Sequence, residues 1–166
     1  MLTKKMEKLL NKQIVEEYYS SNLYLAMSSW CKNQGLNGSA NFMLKQAEEE
    51  RQHMLKLYHY VNESGGHAIV PALEEPPVQF KSLGTIYEQA MQHEQHITQC
   101  ISNLVTASWA EKDYATFNFL QWYVEEQHEE EAQFQGILDL VKLAGLDGRG
   151  LYLVDKQVGK LAEKKS

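Results

Sequence analysis

Apolar side chains recur at intervals of three and four along four long stretches of this chain, about 4–33, 39–64, 83–111 and 114–144, and along a short one near 151–162. That period places them on one face of an α-helix, so the pattern predicts five amphipathic helices. The first stripe runs Leu10, Ile14, Glu17, Ser21, Tyr24, Ser28 and Cys31, and the second Met43, Ala47, Glu50, Met54, Leu57 and Val61. The third is Leu83, Tyr87, Ala90, Glu94, Ile97, Ile101 and Leu104, and the fourth Leu120, Tyr123, Gln127, Glu130, Phe134, Ile137 and Val141. Residues 34–38 make a short turn with Ser39 as the expected N-cap, and residues 111–113 a shorter break before Tyr114. Short links join antiparallel neighbours, which gives two helical hairpins.

The link over residues 65–82 is different, carrying Gly65, Gly66, Pro71, Pro76 and Pro77. About eighteen extended residues at roughly 3.3 Å each reach nearly 60 Å. A helix of about 26 residues is only about 39 Å long. The crossover can therefore run the length of a bundle and start the third helix at the end where the second began. The expectation is an all-α fold over residues 1–166, a four-helix bundle with one long crossover and a short fifth C-terminal helix. The apolar positions of that last helix, Leu151, Val154, Val158 and Leu161, need a surface to dock on, since so short a helix is unstable alone; residues 163–166 are expected to fray.

Each long stripe is broken near its middle by an acid or an amide. Glu17, Glu50, Glu94 and Gln127 lie roughly eleven to thirteen residues into their helices, which at about 1.5 Å per residue brings them to one level. Glu17, Glu50, Glu94 and Glu130 would then meet in an apolar interior with no Lys or Arg on the stripes. A lone mid-stripe Glu is usually a side chain facing water, but four at one depth are not explained that way. Buried carboxylates without a partner cost several kcal/mol each unless protonated or neutralised by cations. His53 lies one turn from Glu50, and this i, i+3 pair on one face suits a dinuclear carboxylate site. An oxygen-rich set with one imidazole fits iron or manganese, with zinc also compatible, and the near absence of sulfur argues against copper(I) and iron–sulfur clusters. Tyr24 is two turns beyond Glu17 on the same face, placed for a supporting or redox role. Glu125 and His128 repeat the Glu-x-x-His spacing two positions out of register, so they are expected in solvent. His93 and His96 flank Glu94 as surface or supporting residues, and Trp122 is expected to pack.

Composition narrows the function. Three prolines and ten glycines, with stretches of more than twenty residues containing neither, exclude a β-sandwich. Lys plus Arg number 16 against 22 Asp plus Glu, a formal charge of −6. No basic run is long enough to bind DNA or RNA. The N-terminus lacks the apolar core of a signal peptide and no apolar run spans a bilayer, so a cytoplasmic protein is expected. Cys31 and Cys100, far apart and without a Cys-x-x-Cys, are expected to be buried free thiols.

These residues resemble the ferritins, most closely their bacterial non-haem branch. The resemblance covers the whole chain, and the stretches Thr116 to Val124 and Glu126 to Glu130 are its most specific parts. It implies a ferroxidase centre within the subunit: Glu17, Glu50 and His53 on one iron, Glu50 bridging, Glu94 with Glu130 on the second, and Gln127 close by. It also implies a third iron site from Glu49, Glu126, Glu129 and Glu130. Bacterioferritins carry a haem-ligating Met after the bridging Glu and a second Glu-x-x-His in core register; Arg51, Gln127 and Glu130 stand there instead, so no haem is expected. Rubrerythrin-like proteins add a Cys-x-x-Cys iron domain that this sequence lacks. The acids lining the three-fold channels of animal ferritins align with Phe117 and Leu120.

By that resemblance the chain is expected to oxidise Fe2+ with O2 or H2O2 and to store Fe3+ as a mineral inside a shell of 24 subunits, the fifth-helix stripe being a candidate contact between copies. The alternative is a discrete di-iron oxidase or peroxide reductase without storage. No nucleic acid or membrane partner is expected.

Overall fold

In a computed structural model, residues 2–164 fold into five helices: α1 Lys4–Asn33, α2 Asn37–Glu63, α3 Leu83–Ala110, α4 Tyr114–Ala144 and α5 Gly148–Lys164. Residues 163 and 164 continue α5, while 165 and 166, where fraying was also expected, lie outside the described residues. Three helices begin as local chemistry dictates. The Thr3 hydroxyl accepts from the Met6 amide at 3.2 Å, Ser82 from Thr85 at 3.1 Å, and Asp113 from Thr116 at 3.1 Å, each satisfying a donor with no partner inside its helix. Gly35 closes α1 at φ +77°, the left-handed conformation that favours glycine.

The start of α2 corrects the sequence reading. Ser39 lies inside the helix and is buried, and Leu36 at the N-cap offers no side-chain acceptor. The cap comes from α5: the Asp155 carboxylate accepts from the Gly38 amide at 3.0 Å and the Ser39 amide at 2.8 Å. The two helices cross there backbone to backbone, and a Cβ on Gly38 would fall 1.9 Å from the Asp155 carbonyl oxygen. Val154 and Val158 are fully buried in the core of their own chain. Half of the fifth-helix stripe is thus used within the subunit, where α5 docks on α2 and α4, while Leu151 and Leu161 are only partly buried.

α1 pairs with α2, α3 with α4, and α1 also lies against α3. The crossover runs along α1 as its length required. Near one end the Ile69 amide donates to Asn11 at 2.7 Å and Asn11 donates to the His67 carbonyl at 2.9 Å; near the other, Phe80 sits edge-on against Trp30 with ring centroids 6.0 Å apart. Asn11 and Trp30 are about 28 Å apart along the helix at about 1.5 Å per residue.

The core is divided in two. One cluster includes Tyr24, Met27, Phe42, Tyr87 and Phe134, and the other Met6, Leu10, Leu57, Ile101 and Tyr123. The layer between them is polar, and every residue of the four long stripes is buried except Val141, which is partly so. Leu120 is fully buried in the second cluster. Of the two residues aligned with channel positions, only Phe117 keeps any exposure, so Leu120 lines no channel in this chain. Cys31 is buried, and burial lifts its thiol to about 12. Cys100 is only partly buried, against expectation, because it lies beside the α3 stripe and faces the α1 groove. No helix among the described residues is long and apolar enough to cross a membrane.

Candidate metal centre

Four helices deliver the polar layer: Glu17 from α1, Glu50 and His53 from α2, Glu94 from α3, and Gln127 and Glu130 from α4, all buried. In one half of the layer the ligating atoms face each other without hydrogen bonds. His53 Nδ1 lies 3.3 Å from Glu50 Oε2 and 4.0 Å from Glu17 Oε2. Glu17 Oε2, both Glu50 carboxylate oxygens and His53 Nδ1 are buried with no hydrogen-bond partner. Buried polar atoms are nearly always satisfied, so four in one place mark a position completed by something else.

The other half is held by donors. The Tyr24 hydroxyl donates to Glu94 Oε1 in a short contact, and Gln127 Nε2 donates to Glu94 Oε2 at 2.9 Å. Glu130 Oε2 accepts from Gln46 Nε2 at 2.7 Å and from Gln133 Nε2 at 3.3 Å. On the first side, Gln13 Nε2 donates to Glu17 Oε1 at 2.9 Å. Gln13 leaves the second oxygen of Glu17 for the interior, whereas Glu94 is held through both of its oxygens. The sequence reading missed Gln13 and Gln46. Their signal was present, since each lies one turn before Glu17 or Glu50 on the same face, but an amide on an apolar helix does not by itself announce a partner.

The electrostatics agree with the geometry. Burial, then repulsion from Glu50, raises Glu17 well above the usual carboxylate range. Burial, then Glu94 and Glu130, does the same to Glu50, and burial with Glu130 raises Glu94. No Lys or Arg among the described residues forms an ion pair with Glu17, Glu50 or Glu94. Hard anionic oxygens with one imidazole, clustered away from water, make a strong site for divalent or trivalent cations such as iron.

Around this core, Tyr123 donates to the His53 carbonyl at 2.7 Å and Trp122 stands edge-on to the His53 ring at 5.2 Å, so Trp122 packs as expected. Glu126 Oε2 reaches within 3.8 Å of His53 Nε2. Glu49 is partly buried and Glu129 exposed. Among the described residues, three ligating side chains come within 4.8 Å of one another in two places, Glu17 with Glu50 and His53, and Glu16 with His96 and Cys100. Glu49, Glu126, Glu129 and Glu130 are not drawn together in this way. Glu125 and His128 are exposed, as their register required. His93 is largely buried, accepting from or donating to Ser20 Oγ at 2.7 Å, and burial, then His96, pushes it down to about 4.

Residues 7–144 match the family described as ferritin, ferritin-like domain. A probable bacterial non-heme ferritin-like protein of Haemophilus influenzae is 52% identical over 164 residues, covering 99% of each chain. A bacterial non-heme ferritin of Campylobacter jejuni is 49% identical, covering 98% of this chain and 97% of the relative. The crystal structure of an open-pore ferritin from the hyperthermophilic archaeon Archaeoglobus fulgidus superposes with a TM-score of 0.93 at 42% identity, covering 96% of this chain and 98% of that one.

Proposed function

The chain belongs to the ferritin family, and from that premise we propose that it is a cytoplasmic ferroxidase and iron store. Iron is the substrate. Glu17, Glu50 and His53 take one Fe2+, Glu94 and Glu130 take a second, and Glu50 lies between them, with Gln127 steering Glu94. Each Fe2+ gives up one electron, and the pair reduces one O2 to H2O2, or one H2O2 to two waters, with two protons consumed. Carboxylates favour this direction because hard anionic oxygens stabilise Fe3+ more than Fe2+. Tyr24, which donates to Glu94, holds that carboxylate and lies where an electron could pass to the second ion. We assign Glu49, Glu126, Glu129 and Glu130 to a third iron position, a reading supported by the approach of Glu126 to His53. The Fe3+ then collects as mineral inside a shell of 24 subunits. No haem takes part.

The observation that carries this reading is the set of orphaned buried atoms on Glu17, Glu50 and His53. Aerobic addition of Fe2+ to the metal-free protein tests it. We expect rapid colour from Fe3+, with iron co-eluting on gel filtration with a particle of 24 copies of a 19.1 kDa chain, roughly 460 kDa. The double variant Glu50→Ala, His53→Ala should lose the fast oxidation. A variant that oxidises iron as fast as its parent overturns the site, and iron that passes through unretained overturns the storage role.

A further inference from the structure

A second convergence of ligating groups lies outside the buried pocket, where α1 meets α3. His96 and Cys100 stand one turn apart on α3, and Glu16 reaches them from α1. Glu16 Oε2 is 3.1 Å from His96 Nε2, and Cys100 Sγ is 3.6 Å from the same nitrogen. One ligand atom from each lies within 4.8 Å of the other two.

Hydrogen bonding holds this cluster only weakly at the sulfur. An ionised carboxylate only accepts, so Nε2–H donates to Glu16 at 3.1 Å and meets the Cys100 sulfur, a weak acceptor, at 3.6 Å. A tetrahedral cation fits the three side chains better: bonds of about 2.0–2.1 Å to nitrogen and oxygen and about 2.3 Å to sulfur give ligand-to-ligand edges of roughly 3.3–3.6 Å. The observed separations of 3.1 and 3.6 Å need only a small adjustment.

Glu16 and Cys100 border a cleft of about 140 Å³ whose walls include Leu9, Lys12, Gln13 and Leu104, and His96 stands beside both at its edge. Gln13 belongs to both regions, since its amide donates to Glu17 in the buried pocket. The cleft leaves room for a fourth, exchangeable ligand. Lys12 offsets part of the negative charge, which disfavours a purely ionic site and puts the weight on the nitrogen and sulfur ligands.

We propose that Glu16, His96 and Cys100 form a second cation site, built for a borderline-soft divalent ion and best matched to Zn2+, with its fourth position open to the cleft. Mixed nitrogen, sulfur and oxygen ligation suits Zn2+ or Co2+ and is poor for Mg2+ or Ca2+. The site shares no ligand with the buried pocket, so it stands or falls separately from the ferroxidase reading.

Co2+ titration of the reduced, metal-free, full-length protein tests the proposal, because a thiolate bound to Co2+ gives a charge-transfer absorption that oxygen and nitrogen ligands do not. We expect this band to saturate at one Co2+ per subunit in the parent and to survive in the Glu50→Ala, His53→Ala variant. It should vanish in Cys100→Ser and in His96→Ala, both of which should melt like the parent, since Cys100 is partly and His96 largely exposed. Zn2+ should bleach the band and shield Cys100 from alkylation, with buried Cys31 as the unreactive reference. A parent without the band, or a Cys100→Ser variant that keeps it, overturns the assignment.

Discussion

Glu50 lies with both carboxylate oxygens buried and unpartnered, one residue's backbone away from Glu49 and under the repulsion of Glu94 and Glu130. Such a side chain destabilises the metal-free fold and is worth keeping only for what it binds. Glu50→Gln keeps the shape and removes the charge. We expect the metal-free variant to be more stable at neutral pH by about 1–3 kcal/mol, measured by denaturant unfolding, while fast iron oxidation falls by at least about tenfold. A variant less stable than its parent would show that Glu50 is already neutralised within the chain. The same acids set a pH dependence. A glutamate titrates near 4.5 when unfolded, whereas folded Glu94 is raised to about 7 and Glu17 and Glu50 are raised as well. A raised folded pKa means the native state holds the proton more tightly, so its stabilisation is complete below 4.5 and is lost as pH climbs through about 7. Glu7 and Glu111, lowered chiefly by hydrogen bonds from Lys4 and Lys5, act only below 4.5, and His93, held down to about 4 from 6.5, works in the opposite sense within the window but as one group against three. Melting midpoints of the metal-free protein should therefore fall across that window, while the metal-loaded protein stays nearly level; a metal-free midpoint that rises instead would contradict the buried acids. This layer was legible in the sequence because a charge breaks an apolar stripe visibly. Gln13 and Gln46 were not, because an amide on a helix acquires meaning only from the carboxylate that the fold brings to it.

The same distinction holds for the helices. The two hairpins and the crossover follow from local signals and chain length, and Thr3, Ser82 and Asp113 cap their own helices. The start of α2 follows no local rule, since its acceptor, Asp155, is 116 residues from the Ser39 amide it holds. A stripe of four apolar residues on α5 shows that it must dock, and nothing in the stripe says on what. The crossing is specified by Gly38 and Gly159, whose missing side chains let the two backbones touch: Cβ on Gly159 would stand 3.0 Å from Gly38 Cα. Gly38→Ala should force the helices apart at the cost of about 1–3 kcal/mol, and Asp155→Ala should remove the cap for about 1 kcal/mol. Both should lower the melting midpoint without changing the initial rate of iron oxidation, because α5 carries none of the polar layer and Glu50 lies twelve residues beyond Gly38 along α2, about 18 Å away. If Gly38→Ala melts like the parent, the close crossing is not what seats α5.

At the scale of the whole molecule, oxidation and storage make different demands. The polar layer is complete within one chain, but a mineral needs an enclosed volume, which a bundle with two filled core clusters does not provide. The surface offers one apolar patch on which a contact for building one can be tested. Leu25 of α1 and Leu44 of α2 are each about half exposed, at 49% and 51%, and border one shallow groove with Ser28, Ser29 and Ala40. Neither residue serves the core of its own chain, and in a closed symmetric shell such a patch is covered by the same patch on a second copy. A two-fold contact doubles every substitution, so Leu25→Glu with Leu44→Glu sets four like charges in one apolar seam, where desolvation and repulsion act together. We expect the variant to leave the roughly 460 kDa position on gel filtration for that of a small assembly, with its first burst of iron oxidation preserved and its retained iron lost. That separation follows only if chemistry belongs to the subunit and capacity to the shell. A variant that still elutes as the large particle would move the contact to another face, such as the exposed cluster of Trp109 and Tyr114, and a variant that assembles poorly yet also fails to oxidise iron would mean that the centre is completed only by its neighbours.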